Sequence, residues 1–113
     1  MVKDLIIETQ YMENYGAHRW DGVGDCPQFW KAKGGEEVII THVPESVDIS
    51  KVVDMVRDEL EWSSQYSEQY ITGYGLEECG VETQFEREQR QFEGKIEFPS
   101  KRIAYSDLIL EAA

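Results

Sequence analysis

The sequence predicts an α+β domain: a small, mainly antiparallel sheet with one long helix at about 49–66 and a short helix at about 84–93, both packed on one face. Three observations lead there. Runs rich in β-branched and aromatic residues recur near 3–12, 36–43, 70–76 and 95–98. A strong helical apolar stripe falls between the second and third of these runs. The chain has 113 residues and is 41% hydrophobic, which suits a single domain, 1–113, with one core.

The first run contains Leu5, Ile6, Ile7, Thr9 and Tyr11 and reads as a strand buried in part on both faces. Residues 13–35 change character. Gly16, Gly22, Gly24, Pro27, Gly34 and Gly35 punctuate Tyr15, Trp20, Phe29 and Trp30, which predicts an ordered loop pinned by aromatics, with at most a short helical turn. A second strand follows around Val38-Ile39-Ile40-Thr41 and stops at Pro44. Ile49, Val52, Val53, Val56 and Leu60 then sit at offsets 0, 3, 4, 7 and 11, the spacing of one helix face, with Asp48 as N-cap. Tyr70 to Leu76 predicts a third strand, its glycines suggesting a bulge or a close backbone approach.

Residues 83–93 fit two readings. Thr83-Gln84-Phe85-Glu86 matches a capping box, with Phe85 and Phe92 on one helical face and Gly94 as a stop; an extended acidic edge fits as well. Lys95 to Phe98 reads as a strand that breaks at Pro99. Arg102 to Tyr105 resumes it, and the last residues form a strand or a short helix.

Charge is the unusual global property: the chain carries −12 at neutral pH. Residues 36–93 hold four Lys/Arg against fifteen Asp/Glu, whereas the two flanks are near neutral. Such a surface repels phosphates and attracts basic partners. The helix presents Asp54, Asp58 and Glu61 along one side, a spacing comparable to that of backbone phosphates. Glu77, Glu78 and Glu82 head a second acidic set. A solvated helix face is the bland alternative, and Arg57 would neutralise part of the stripe.

Catalytic and metal motifs are weak. Cys26 lies near His18 and Asp21 without a nucleophile signature. His18, Asp21, Asp25, Cys26 and His42 lack the paired spacing of a metal centre, so neither metal nor cofactor is expected. Two cysteines make no disulfide framework and suit a reducing compartment. The start, Met1 to Glu8, reads as a strand and not as a secretory apolar region, and no run is long enough to span a bilayer. The loop aromatics Trp20 and Trp30 form either a small core or anchors for a partner. With Arg19, Lys31 and Lys33 beside them, the 15–35 loop alternatively suits a small ligand or single-stranded nucleic acid.

Two stretches, Tyr11-Met12-Glu13-Asn14-Tyr15-Gly16 and Trp20-Asp21-Gly22 running on to Cys26-Pro27-Gln28-Phe29-Trp30-Lys31-Ala32-Lys33-Gly34-Gly35, resemble small accessory proteins of tailed bacteriophages. The resemblance covers the first third of the chain and carries no catalytic residue. It implies a phage product in the bacterial cytoplasm, of a kind that often blocks host nucleic-acid-handling or defence enzymes. The expectation is therefore a non-enzymatic protein that inhibits or modulates a basic host protein through an acidic, nucleic-acid-like surface. Its carriers would be Asp54, Asp58, Glu61, Glu77, Glu78 and Glu82, with Trp20 and Trp30 as anchors. No membrane contact is expected, and an edge strand leaves room for a homodimer.

Overall fold

The structure, a computed structural model, describes residues 1–91 and 100–112. Its centre is β1 (Val2–Asn14), a 13-residue strand with neighbours along both edges. On one side β1 pairs antiparallel with β2 (Trp30–Ala32) near its end and with β3 (Glu37–Pro44) along its first half. On the other it pairs antiparallel with β5 (Ser67–Glu77), which in turn holds the two-residue β4 (Trp62–Ser63). The sheet closes with β6 (Ser100–Ala104), which runs parallel to β3.

Glycine explains how β2 and β3 follow one partner. The register steps by one residue between Met12↔Ala32 and Glu8↔Glu37. Gly34, at φ +90°, absorbs the extra residue, as in a bulge with glycine in the left-handed region. Gly35 lies so close to the Thr9 carbonyl that a Cβ would collide with it. Thr9 completes the join, its hydroxyl donating to the Glu36 carbonyl at 2.9 Å and accepting the Glu36 N–H at 2.8 Å. The expected loop is thus shorter than residues 13–35. Only 15–29 leave the sheet, and they begin with α1 (Tyr15–His18).

Successive strand side chains face opposite ways, and the two faces of this sheet have different chemistry. Leu5, Ile7, Val38, Ile40 and Val43 form the apolar face, covered by Val52, Val53, Val56 and Leu60 of α2 (Ile49–Leu60) and by Leu108 of α4 (Tyr105–Ala112). Asp48 caps α2, accepting the Ser50 N–H at 3.1 Å. The other face presents Asp4, Glu37, Ile39 and Arg102. Against it lies α3 (Gln84–Gln91), entered through the capping box: the Thr83 hydroxyl accepts the Glu86 N–H and the Glu86 carboxylate accepts the Thr83 N–H, both at 3.1 Å.

The expected fold class therefore needs correction. Strand outweighs helix, and the six-stranded sheet is mixed because β3 and β6 are parallel. The helices do not share a face. Val38 points to α2, so Glu37 beside it points away, and its carboxylate accepts the Thr83 hydroxyl at the entry to α3. The long helix ends at Leu60 instead of 66. The stripe positions that would extend it, Ser63, Ser64 and Ser67, are polar and form a hairpin turn, where the Ser64 N–H donates to the Ser67 carbonyl at 2.8 Å. The short helix runs from Gln84 to Gln91; the expected continuation to 93 and the strand at 95–98 lie outside the described residues.

Candidate functional site

The acidic side of α2 was the first candidate, and the structure divides it. Arg57 lies between two of its three carboxylates, bonding Asp54 at 3.1 Å and Glu61 at 3.0 Å. Glu61 is also tied to the sheet, since its second oxygen accepts the Ile71 N–H at 3.0 Å, on the outer edge of β5. That N–H and then Arg57 hold the Glu61 carboxyl below its ordinary range. Asp58 alone of the stripe keeps a free carboxylate among the described residues. The three do not form an uninterrupted row of negative charge.

The second acidic set lies around β5. Beyond β4, which covers only Glu68 and Gln69, and beyond the Glu61 contact at Ile71, the outer edge of β5 is unpaired among the described residues. Gly73 and Gly75 sit opposite Glu8 and Ile6, and a Cβ at either glycine would meet open space. The glycines therefore mark neither a close approach nor the bulge, which falls opposite Glu8 and Thr9 at Thr72. They floor an open trough of about 270 Å³ lined by Ile6, Glu8, Tyr74 and Glu77. Glu78 continues from its end. Glu8, Glu77 and Glu78 are exposed and have no basic partner among the described residues. Glu82 is 3.5 Å from Arg87.

Beside the trough is a knot of polar groups whose role is structural. Arg102 holds Glu86 by two bonds of 2.8 Å, Asp4 by one of 3.3 Å, and the Val81 carbonyl at 3.1 Å. Burial works to push the Asp4 carboxyl up. The N–H groups of Gly80 and His42, the Cys79 thiol and Arg102 outweigh it and hold it below the usual range. The Glu86 carboxyl is held down chiefly by Arg102. Buried Glu37 accepts the Thr83 and Ser100 hydroxyls at 2.6 and 2.8 Å. Every carboxylate of this knot is used internally, so none is offered to a partner.

The loop tryptophans are also occupied. Trp20 donates its ring N–H to the Val23 carbonyl at 3.2 Å, and Trp30 donates to Gln28 at 2.8 Å. Both are half-buried and pin the loop. More open aromatics are Phe29, Trp62, whose ring lies tilted 5.8 Å from that of Tyr11, and Tyr74 in the trough wall. Cys26 and His18 have separate neighbours: the thiol accepts from Gln65 at 3.3 Å, and the imidazole lies 5.4 Å from the Tyr66 ring. The Cys79 thiol is pushed up by burial and by Asp4, which disfavours a thiolate. Among the described residues no group of acidic, histidine or cysteine side chains is arranged to hold a metal ion, and no helix is long and apolar enough to cross a membrane.

Compared with protein-family models, curated proteins and solved structures, the chain gives no match. The likeness of residues 11–35 to phage accessory proteins gains nothing from these comparisons. Its residues do have structural reasons. Asn14 accepts the Ala17 and Phe29 N–H groups at 3.3 and 2.9 Å and donates to the Gln65 carbonyl at 3.1 Å. Gly16 has no room for a Cβ against Pro27.

Sequence reasoning missed Glu8 and the trough. Glu8 lies 69 positions from Glu77 and enters the acidic set only through strand pairing. The Gly73-Tyr74-Gly75 alternation was the available signal, because two glycines on one face of a strand leave that face bare.

Proposed function

We propose that this chain is a non-enzymatic binding protein that engages a basic protein partner through the acidic side of β5. One observation carries the reading: exposed, unpaired Glu8 and Glu77 line a glycine-floored trough beside an open strand edge, and exposed Glu78 follows Glu77 in the chain. Basic side chains would meet free carboxylates there, and the bare glycine backbone lets an incoming segment approach closely. The net charge of −12 adds long-range attraction for such a partner. Asp58 lies on α2, which covers the opposite face of the sheet, and Asp54, Glu61 and Glu82 are already engaged by arginines, so these four contribute less. The phage resemblance suggests a host enzyme that handles nucleic acid, or a defence protein, in the bacterial cytoplasm; inhibition or modulation of it is the corresponding action.

The test is capture of partners from bacterial lysate with the wild-type chain, an E8K/E77K/E78K variant and a D54K/D58K variant. The reading expects a partner that is retained at low salt and released at high salt. It should be lost with the first variant and largely kept with the second. Equal retention of that partner by E8K/E77K/E78K would overturn the assignment of the face.

A further inference from the structure

A second site, opposite in charge, lies where α1 meets the start of β2. Tyr15, Gly16, Arg19, Phe29 and Lys31 line an open cavity of about 390 Å³. Within the range of small-molecule pockets it is a small one, of a size for a single compact ligand.

Three features give the cavity its chemistry. The first is uncompensated positive charge. Lys33, Arg57, Arg87 and Arg102 all lie within ion-pair distance of carboxylates, as expected where acids outnumber bases 23 to 11. Arg19 and Lys31, like Lys3, Lys51 and Lys101, have no carboxylate within ion-pair reach among the described residues, and Arg19 and Lys31 come together at the cavity. The second is an aromatic wall. The Lys31 ammonium lies 5.4 Å from the Phe29 ring centre and 5.7 Å from that of Tyr15, while the Phe29 side of the cavity stays open, with 56% of that residue exposed. The third is rigidity. The Phe29 N–H donates to buried Asn14 at 2.9 Å and its carbonyl accepts the Tyr15 N–H at 2.8 Å, so the exposed ring stands on a fixed backbone. An exposed ring on a fixed backbone beside two cations that have no carboxylate partner is preorganised for a flat anion.

We infer that this cavity binds a free nucleoside monophosphate, its base against the exposed Phe29 ring and its phosphate between Arg19 and Lys31. Stacking is tolerant of base identity, and the two cations supply charge-assisted bonds to phosphate oxygens. A single-stranded nucleic acid offers the same base and phosphate, but its further phosphates would face a chain of net charge −12. The free nucleotide escapes most of that repulsion. The site is independent of the acidic β5 face, and each can fail without the other.

The experiment is calorimetric and NMR titration of the full chain with nucleoside monophosphates, the corresponding nucleosides, inorganic phosphate and a single-stranded oligonucleotide. Saturable binding of a monophosphate is expected, with shifts at the amides of Tyr15, Gly16 and Lys31. The nucleoside and inorganic phosphate should each bind about tenfold more weakly or worse. R19A/K31A should lose about tenfold or more in monophosphate affinity with an unchanged circular dichroism spectrum. Phe29→Leu should weaken the monophosphate but not inorganic phosphate. Absence of monophosphate binding at millimolar concentration, or full binding by R19A/K31A, would overturn the proposal. Tighter binding of the oligonucleotide than of the mononucleotide would overturn it in favour of a single-stranded nucleic-acid site.

Discussion

Asn14 shows how much of the first third of the chain depends on one side chain. Wholly buried, it ends β1, caps α1, fixes the Phe29 backbone and reaches the β4–β5 turn. Alanine at Asn14 would leave two N–H groups without their acceptor, and each buried orphan costs about 1–3 kcal/mol. Because the Phe29 N–H is only part-buried, its cost falls below the buried figure, and Asn14→Ala should lower unfolding free energy by about 2–4 kcal/mol in urea titration. A loss below about 0.5 kcal/mol would show that water replaces the amide. Gly35 makes a steric counterpart, since a methyl group there meets the Thr9 carbonyl. The sequence made Asn14 and Gly35 visible as part of a familiar stretch but not what they do in the fold. Their bonding partners lie up to 51 positions away, and spacing along the chain reports no such contact.

Elements built from local patterns were legible, and those that depend on distant pairing were not. The stripe from Ile49 to Leu60, the Asp48 cap and the Thr83–Glu86 capping box each lie within a few residues, and each is found where expected. The side of the sheet on which α3 lies was not legible, because it depends on Glu37 and Arg102 meeting groups far along the chain. On the apolar side, Leu5→Ala at a position with no exposed surface should cost about 2–5 kcal/mol, measured by chemical unfolding. On the polar side, the low folded-state values of Asp4 and Glu86 set a pH dependence. Unfolded carboxyls titrate near about pH 4, so this stabilisation is complete above about pH 5 and is lost as acid drops the pH toward the lower folded values. Arg102→Met should destabilise the neutral protein by about 1–3 kcal/mol, discounted from the buried-pair figure because the guanidinium is partly in water. It should also flatten the acid limb of the stability curve, mainly through Glu86. An unchanged acid limb in that variant would remove Arg102 as its cause.

At the scale of the whole molecule, charge opposes compactness. A chain at −12 repels itself, so moving from about 0.1 M to about 1 M salt, where the screening length falls from about 10 to about 3 Å, should raise the melting temperature. The partly buried Arg102 knot is screened less and does not reverse the trend. A melting temperature that falls over this range would mean that surface attractions outweigh the excess of carboxylates. The same excess underlies the proposed attraction of the β5 trough for a basic partner, and the sequence foretold that excess without locating the face. Arg57 interrupts the acidic stripe of α2, whereas Glu8 joins Glu77 only through the pairing of β1 with β5. The most direct test is the salt dependence of affinity for the captured basic partner, in the wild type and in E8Q/E77Q/E78Q. The account predicts wild-type affinity falling steeply between about 0.1 and about 1 M salt, with the neutralised variant weaker and flatter. An affinity indifferent to salt and to those three glutamates would contradict it.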